Sequence, residues 1–435
     1  MYDEDIKPDF LREGAGHIPD ELVKVRRWFS AAVEHGEKWR REALEDYHFV
    51  CGQQWSDDEL KTFEDQKRPA ITINRIAPLI NIVSGWQKLN RFDISFLGRT
   101  SDDVELAQVR TDVTKYVLDR CEYDATESQV FTDMCVGGIG WFGTKYKYDY
   151  EHNDGEAQIE RCDPFSMYPD PETHELDFSD MKYICRARWI DKDELKTVYS
   201  DKADIIEATF ELYDKIEEDS TKSETEIDPS WYNSELKKIR VVECWYKVRE
   251  NQTMAYLNDG QSIQIDPKDK AALQQLIMQG LLTDENQIRT IPVTSVRCCT
   301  FFDRTLLEDI PSPYQHGEFP YVACVFKYYG VGDTPAGFVR DLKNPQRELN
   351  KRRTQELHLL NTSGNGKMFM EEDTMSPEQE AEYQTMANVP GHVQKVRANA
   401  ITGGKFKFIP PPNPPTAIIN AEQQATNDLT AISGI

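Results

Sequence analysis

No apolar run in the 435 residues approaches the roughly 20 that a membrane-spanning helix requires, so no membrane partner is expected. The N-terminus, MYDEDIKPDFLREG, lacks the basic-then-apolar order of a secretory signal. Nine cysteines are scattered through the chain without a CxxC pair, and the adjacent Cys298 and Cys299 suit neither zinc nor an ordinary disulfide. Reduced, mostly buried thiols are expected. Enzyme signatures are missing as well. Residues 364–367 read Gly-Asn-Gly-Lys but lack the leading spacing and the following hydroxyl of a phosphate loop. There is no HExxH, no GxSxG and no Cys–His signature, and the eight histidines are isolated. The residues therefore point to no enzyme, no cofactor, no metal and no catalytic side chain.

Positive charge is also scarce. Lys and Arg total 51 against 76 Asp and Glu, a net charge of −25. Because nucleic-acid binding relies on cations releasing counterions, this argues against a monomer that wraps nucleic acid. It does not argue against a conduit, whose acidic wall would repel a passing duplex and leave few contacts. Simple solubility accounts for a negative surface equally well. Hydrophobic residues make up 39%, with 19 Tyr, 19 Phe and 8 Trp, enough for real cores in two to four domains.

Against that background one stretch stands out. Residues 328–361 combine a Gly/Pro-rich turn with a helix of about twenty residues. Between Arg340 and Arg353 six cations (Arg340, Lys343, Arg347, Lys351, Arg352, Arg353) face two anions (Asp341, Glu348). Leu342, Leu349, Leu357 and Leu360 recur at helical spacing as an apolar stripe, and Lys343, Arg347 and Lys351 form a cationic row on another face. Such a helix could pack by one side and meet phosphate by the other; an ordinary solvated face explains the row equally.

Elsewhere the pattern alternates helix and sheet. Residues 20–51 read as one long amphipathic helix with Trp28, Phe29, Ala32 and Val33 on its apolar face and a weak interruption at Gly36. Ile71 and Ile73 alternate with Thr72 and Asn74 as a short strand, followed by helices near 77–90, 102–123 and 125–136. Gly137-Gly138-Ile139-Gly140 follows a helix and precedes a strand, the reverse of a dinucleotide loop, so a tight turn is expected. Residues 130–189 read as helix, turn and antiparallel strands, and 191–199 and 203–215 as short helices. Residues 217–229 (EEDSTKSETEIDP) form a charged linker. Beyond it come a strand at 238–249, a hairpin partner at 254–265 with Asp259-Gly260 near its turn, a helix at 268–282, and strands at 287–302 and 321–329. A helix at 375–387, a basic-aromatic segment at 405–408, a stiff Pro-rich spacer at 410–415 and a polar helix at 416–432 complete the chain. The carboxylates Asp170, Glu172, Glu175, Asp177 and Asp180 are read as a solvated turn, with a metal or calcium site as the alternative.

The run GFVRDLKNPQRELNKRRTQ after its Gly-rich turn resembles the portal proteins of short-tailed, P22-like phages. Residues 67–91 (KRPAITINRIAPLINIVSGWQKLNR), 133–148 (DMCVGGIGWFGTKYKY) and 162–188 (CDPFSMYPDPETHELDFSDMKYICRAR) resemble that family in the same order. The resemblance implies an α+β, multi-domain portal fold that assembles as a ring around a central channel, a homo-oligomer of about twelve subunits. It implies a wing region at 1–234, a clip-like module at 235–332, a stem helix at 333–364 and a return segment at 365–435. It also implies further helices past a point such as Ile435, so a C-terminal crown region is either absent or outside this sequence. Double-stranded DNA would be packaged and ejected through the ring, at one vertex of the virion capsid, after assembly in the host cytoplasm. The implied partners are the terminase large subunit, a head-completion or tail adaptor protein, and the major capsid and scaffolding proteins. Lys343, Arg347, Lys351, Arg352 and Arg353 are the candidates for facing the duplex or the shell. The competing classes are a magnesium-dependent nuclease or packaging enzyme, and a minor capsid scaffold without DNA passage.

Overall fold

A 31-residue helix opens the described part of the chain, and its buried residues recur mostly at three- and four-residue steps. The computed structural model describes residues 19–66, 68–149, 154–218, 231–233, 235–256, 262–264, 288–314, 316–327, 334–363, 367–371, 375–386, 395–396, 406–409 and 416–434. In this helix, α1 (Asp20–Val50), Leu22, Val25, Phe29, Ala32, Trp39, Ala43, Asp46 and Phe49 are all buried. Gly36 falls on the same stripe and does not break the helix. One member of the stripe, Asp46, is charged; its partners belong to the candidate site.

The chain divides into two compact units, with the division falling inside α1. The first comprises Met1–Glu42, Phe92–Met134 and Gly138–Pro335. It holds α4 (Val104–Arg120), most of α5 (Tyr123–Gly137), β1 (Ile139–Asp149), β2 (Asp154–Cys162), β3 (Met167–Pro169), β4 (Tyr183–Asp191), α6 (Lys192–Val198) and α7 (Ala203–Glu218). It continues with β5 (Tyr232–Asn233), β6 (Lys238–Tyr256), β7 (Ser262–Gln264), β8 (Ile288–Phe302), β9 (Thr305–Pro311) and β10 (Tyr321–Val325). β1 is the centre of a three-stranded antiparallel sheet in the order β10-β1-β2. The larger sheet runs β3-β4-β6-β8-β9, with β5 and β7 also on β6.

Alternation along β6 explains how that sheet is covered on both faces. Val242, Cys244 and Tyr246 join Phe301, Tyr183 and the α1 residues Leu22, Val25 and Phe29 in one core. Ile239 and Val241 join Phe302, Leu195 of α6 and Ile206, Phe210 and Tyr213 of α7 in another. Aromatic contacts tie the first core together: Trp28 stacks on Tyr183 at 4.9 Å, and Phe29 meets Tyr168 edge-on at 5.0 Å.

The second unit comprises Ala43–Arg91, Cys135–Gly137 and Ala336–Ile435. It contains the end of α1, α2 (Asp57–Asp65), α3 (Ile76–Leu89), α8 (Phe338–Ser363), the antiparallel pair β11 (Lys367–Met370) and β12 (Phe406–Ile409), α9 (Pro377–Met386) and α10 (Thr416–Ser433).

Several sequence expectations shift. β6 does not turn back near residue 250; its ladder with β8 continues through Ala255↔Ile288, and the reversal comes only at β7. β9 had no strand signal because its hairpin with β8 turns on Asp303-Arg304, with Asp303 at φ 41°, in place of an Asn-Gly or Asp-Gly pair. The Gly137–Gly140 cluster is the turn it was read as, with Gly138 closing α5 at φ 91°. The expected helix at 268–282, the turn at Asp259-Gly260, the Pro-rich spacer at 410–415 and linker residues 219–230 lie outside the described residues.

Candidate functional site

The basic stretch is a helix, α8, and it is longer than its pattern promised: 26 residues, with Pro345 inside. Pro345, about two turns in, removes the amide that would have bonded the Asp341 carbonyl, and its ring crowds that carbonyl. Gly337 lies just before the helix against the carbonyls of Val136 and Cys135, where an added Cβ would come within 2.3 and 2.5 Å of the two oxygens. No other residue fits there.

The face α8 buries is only partly the leucine stripe. Val339, Leu342 and Leu349 are fully buried, Leu357 is half-buried, and the side chain of Leu360 lies outside the described residues. Beside them Gln346, Asn350 and Thr354 are also buried, at successive four-residue steps. Each addresses the extended segment 68–75. Thr354 Oγ1 accepts from the Ile71 amide at 3.2 Å, Asn350 Oδ1 from Ile73 at 3.0 Å and Gln346 Oε1 from Arg75 at 3.2 Å. Gln346 Nε2 returns a bond to the Ile73 carbonyl at 2.6 Å, and Asn350 Nδ2 donates to Gln54 Oε1 at 2.6 Å. The spacing explains the fit: two strand residues advance about 6.6 Å and four helical residues about 6 Å. Ile71-Thr72-Ile73-Asn74 is extended as its alternation suggested, but its partner is a row of helix side chains and not another strand. Asn74 then accepts from the Ile76 and Ala77 amides to start α3.

The five candidate cations fall into two groups. Lys343 is buried, with Nζ 2.7 Å from Glu45 Oε2 and 2.8 Å from Asp46 Oδ1. Arg347 pairs with Glu45 and lies over the Phe49 ring at 4.8 Å. Arg340 joins them, its guanidinium 2.8 Å from Asp46. Burial pushes the Asp46 carboxyl up despite Lys343 and Arg340. Burial also opposes ionisation of Glu45, but Lys343 and Arg347 together hold it below its ordinary value. This end of the row is bound to α1 of its own chain.

The other end is more open. The side chain of Lys351 is 51% exposed, Arg352 37% and Arg353 44%, against 9% for Lys343; Arg347, at 38%, is as exposed as Arg352 and is set apart by its pairing with Glu45 of α1. Lys351 reaches Glu59 at 2.8 Å, Arg352 its own-helix neighbour Glu348 at 3.0 Å, and Arg353 pairs with Glu356 and with Glu422 of α10. The charge row was legible; its division was not, because the acids that divide it sit some 300 residues upstream. Asp46 on the apolar stripe of α1 was the available signal.

The acidic cluster of the first unit is a hydrogen-bonded turn. Asp170 accepts from the Glu172 and Lys182 amides, Asp180 from His174 and Glu175, and Asp177 from Ser179. Among the described residues no group of three or more His, Cys, Asp or Glu is arranged to hold a metal ion.

Compared with known families, the chain matches the phage P22-like portal proteins over residues 26–435. It belongs to that family. No curated protein matches it. The matched span takes in every element described above from within α1 onward, the two-part basic helix of this portal protein included. Among its described residues no helix is long and apolar enough to cross a membrane.

Proposed function

We propose that the chain works as one subunit of a closed ring at a capsid vertex, through which double-stranded DNA is packaged and later ejected. The family match over residues 26–435 carries this reading. Two features support it. A net charge of −25 suits a wall that lets a duplex slide and does not grip it. On the first unit, α4 buries only Ala107 and Thr111, while Val104, Leu106, Val109, Val113 and Tyr116 are exposed. So much apolar surface on one helix is what a neighbouring subunit would cover.

Within the ring, residues 1–234 act as wing, 235–332 as clip, 333–364 as stem and 365–435 as the return segment. Within the proposed clip, the far end of the β6–β8 ladder is the part that lies away from the sheet shared by β4 and β6. That end would dock the terminase large subunit during packaging and the tail adaptor afterwards. The open cations Lys351, Arg352 and Arg353 take the duplex- or shell-facing role, while Lys343 and Arg347 anchor the helix. Symmetry would turn three side chains into a belt of charge.

Imaging and mass measurement of the purified protein test the ring. A closed assembly of about a dozen copies is expected, whereas a small oligomer with magnesium-dependent DNA cleavage would overturn the reading. Reversal of Lys351, Arg352 and Arg353 to Glu should leave assembly intact and impair genome packaging or retention. Normal packaging in that variant would remove these residues from the mechanism.

A further inference from the structure

Three buried cysteines stand side by side across three neighbouring strands. Cys185 of β4 is opposite Cys244 of β6, and Cys244 is opposite Cys299 of β8. All three are fully buried within the same core. Cys185 Sγ lies 2.8 Å from Cys244 Sγ.

The ladder distinguishes the two possible partners of Cys244. Antiparallel pairs alternate between hydrogen-bonded positions, with Cα atoms about 5.5 Å apart, and non-bonded positions, about 4.5 Å apart with closer side chains. The Lys247 amide donates to the Lys182 carbonyl at 2.9 Å, so 182/247 is a bonded position. Counting along the register makes 183/246 non-bonded, 184/245 bonded and 185/244 non-bonded. Since successive residues of a central strand bond alternately to its two neighbours, Cys244/Cys299 is then a bonded, wider position. A disulfide needs Cβ atoms about 3.8 Å apart, which favours the closer pair.

We propose that Cys185 and Cys244 are a latent cross-strand disulfide, closed by an oxidant once the protein leaves reducing surroundings. Two S–H bonds are lost and one S–S bond forms, while two protons and two electrons pass to an oxidant of the diazene or peroxide class. The bond would tie β4 to β6 and close the loop from 185 to 244, raising resistance to unfolding. Burial raises the Cys244 thiol well above its ordinary range, and burial sets Cys299 at about 12. Both thiols of the pair are fully buried, so closure awaits local opening of the sheet. That the oxidising surroundings are those of a released phage particle rests on the portal reading; the bond itself does not.

The test uses the full chain carrying Cys51→Ser, which removes the exposed thiol. The protein is treated with diamide, unfolded in N-ethylmaleimide, digested and mapped by mass spectrometry. A Cys185–Cys244 peptide pair should accumulate slowly, with a higher thermal midpoint that dithiothreitol reverses. A Cys185→Ala variant should show no such rise. Full alkylation of every remaining thiol after prolonged oxidation, or a Cys244–Cys299 bond in place of the predicted one, overturns the proposal. Ring formation has no bearing on either outcome.

Discussion

The two compact units are specified by opposite chemistries. In the first, a sheet is covered by rings and aliphatic side chains: Phe29, Tyr168, Tyr183, Trp231 and Phe301 fill one face, and Ile206, Phe210 and Phe302 the other. In the second, the long helix α8 is fixed by polar groups. Gln346, Asn350 and Thr354 read the backbone of residues 71–75, and Asp46 holds Arg340 and Lys343. An apolar core tolerates approximate shapes, because the hydrophobic effect has no direction. A buried polar seam is satisfied at one register only, since every displaced donor or acceptor is left without water. A helix that must keep one rotation about its own axis gains from the second kind of contact.

That contrast is breakable at its two strongest points. Truncation of the fully buried Phe301 to Ala should cost about 3–5 kcal/mol. Replacing Asp46 by Ala should cost about as much, roughly 3–5 kcal/mol, because the buried Lys343 and the half-buried Arg340 lose their shared, fully buried carboxylate. The conservative variants separate the causes. Phe301→Leu should recover much of the loss, since volume is what matters there. Asp46→Asn keeps the shape but should recover little. Urea unfolding with hydrogen exchange read separately in each unit measures both pairs; full recovery by Asp46→Asn would mean that the second unit is held by packing after all.

One step smaller is Asn350→Ala, which strips the partner from the Ile73 amide and from Gln54. A loss of about 1–3 kcal/mol is expected, with faster amide exchange at Ile73 and at neighbouring Ile71 and Arg75. Slow exchange at Ile73 in this variant would show that residues 71–75 do not depend on α8.

How far the sequence carried follows the same division. α1, β6 and β8 were legible because apolar periodicity records which face is covered; α4 was legible as a helix, yet its periodic residues Leu106, Val109 and Val113 are exposed and Ala107 and Thr111 are the ones buried. The six cations of α8 were legible as composition. Their partners were not, since Glu45 and Asp46 lie some 300 residues away and nothing local to α8 encodes which acid folds back on it. The strand-like alternation at 71–74 gave the extended conformation but not the partner, because side-chain amides of a helix leave no periodic trace in the segment they bind. β9 was missed for want of a turn signature, and the length of β6 because its continuation depends on β8, forty residues later.

The smallest effect sharpens the comparison inside α8 itself. Lys351 belongs to the open end of the row and pairs with Glu59, which also caps α2 through Ser56. The hydrogen bond from Lys351 holds the Glu59 carboxyl below its ordinary 4.5, with burial opposing and Ser56 assisting. A carboxylate depressed in the folded state stabilises above its unfolded value and loses that contribution as pH falls through the folded one. Lys351→Ala should therefore move the Glu59 titration, followed by carboxyl NMR, back up toward 4.5 while changing stability by about 0–1 kcal/mol near neutral pH. A loss as large as that of Asp46→Ala would mean that Lys351 is held to its own chain no less firmly than the buried end, and would remove it from the residues proposed to meet DNA or shell.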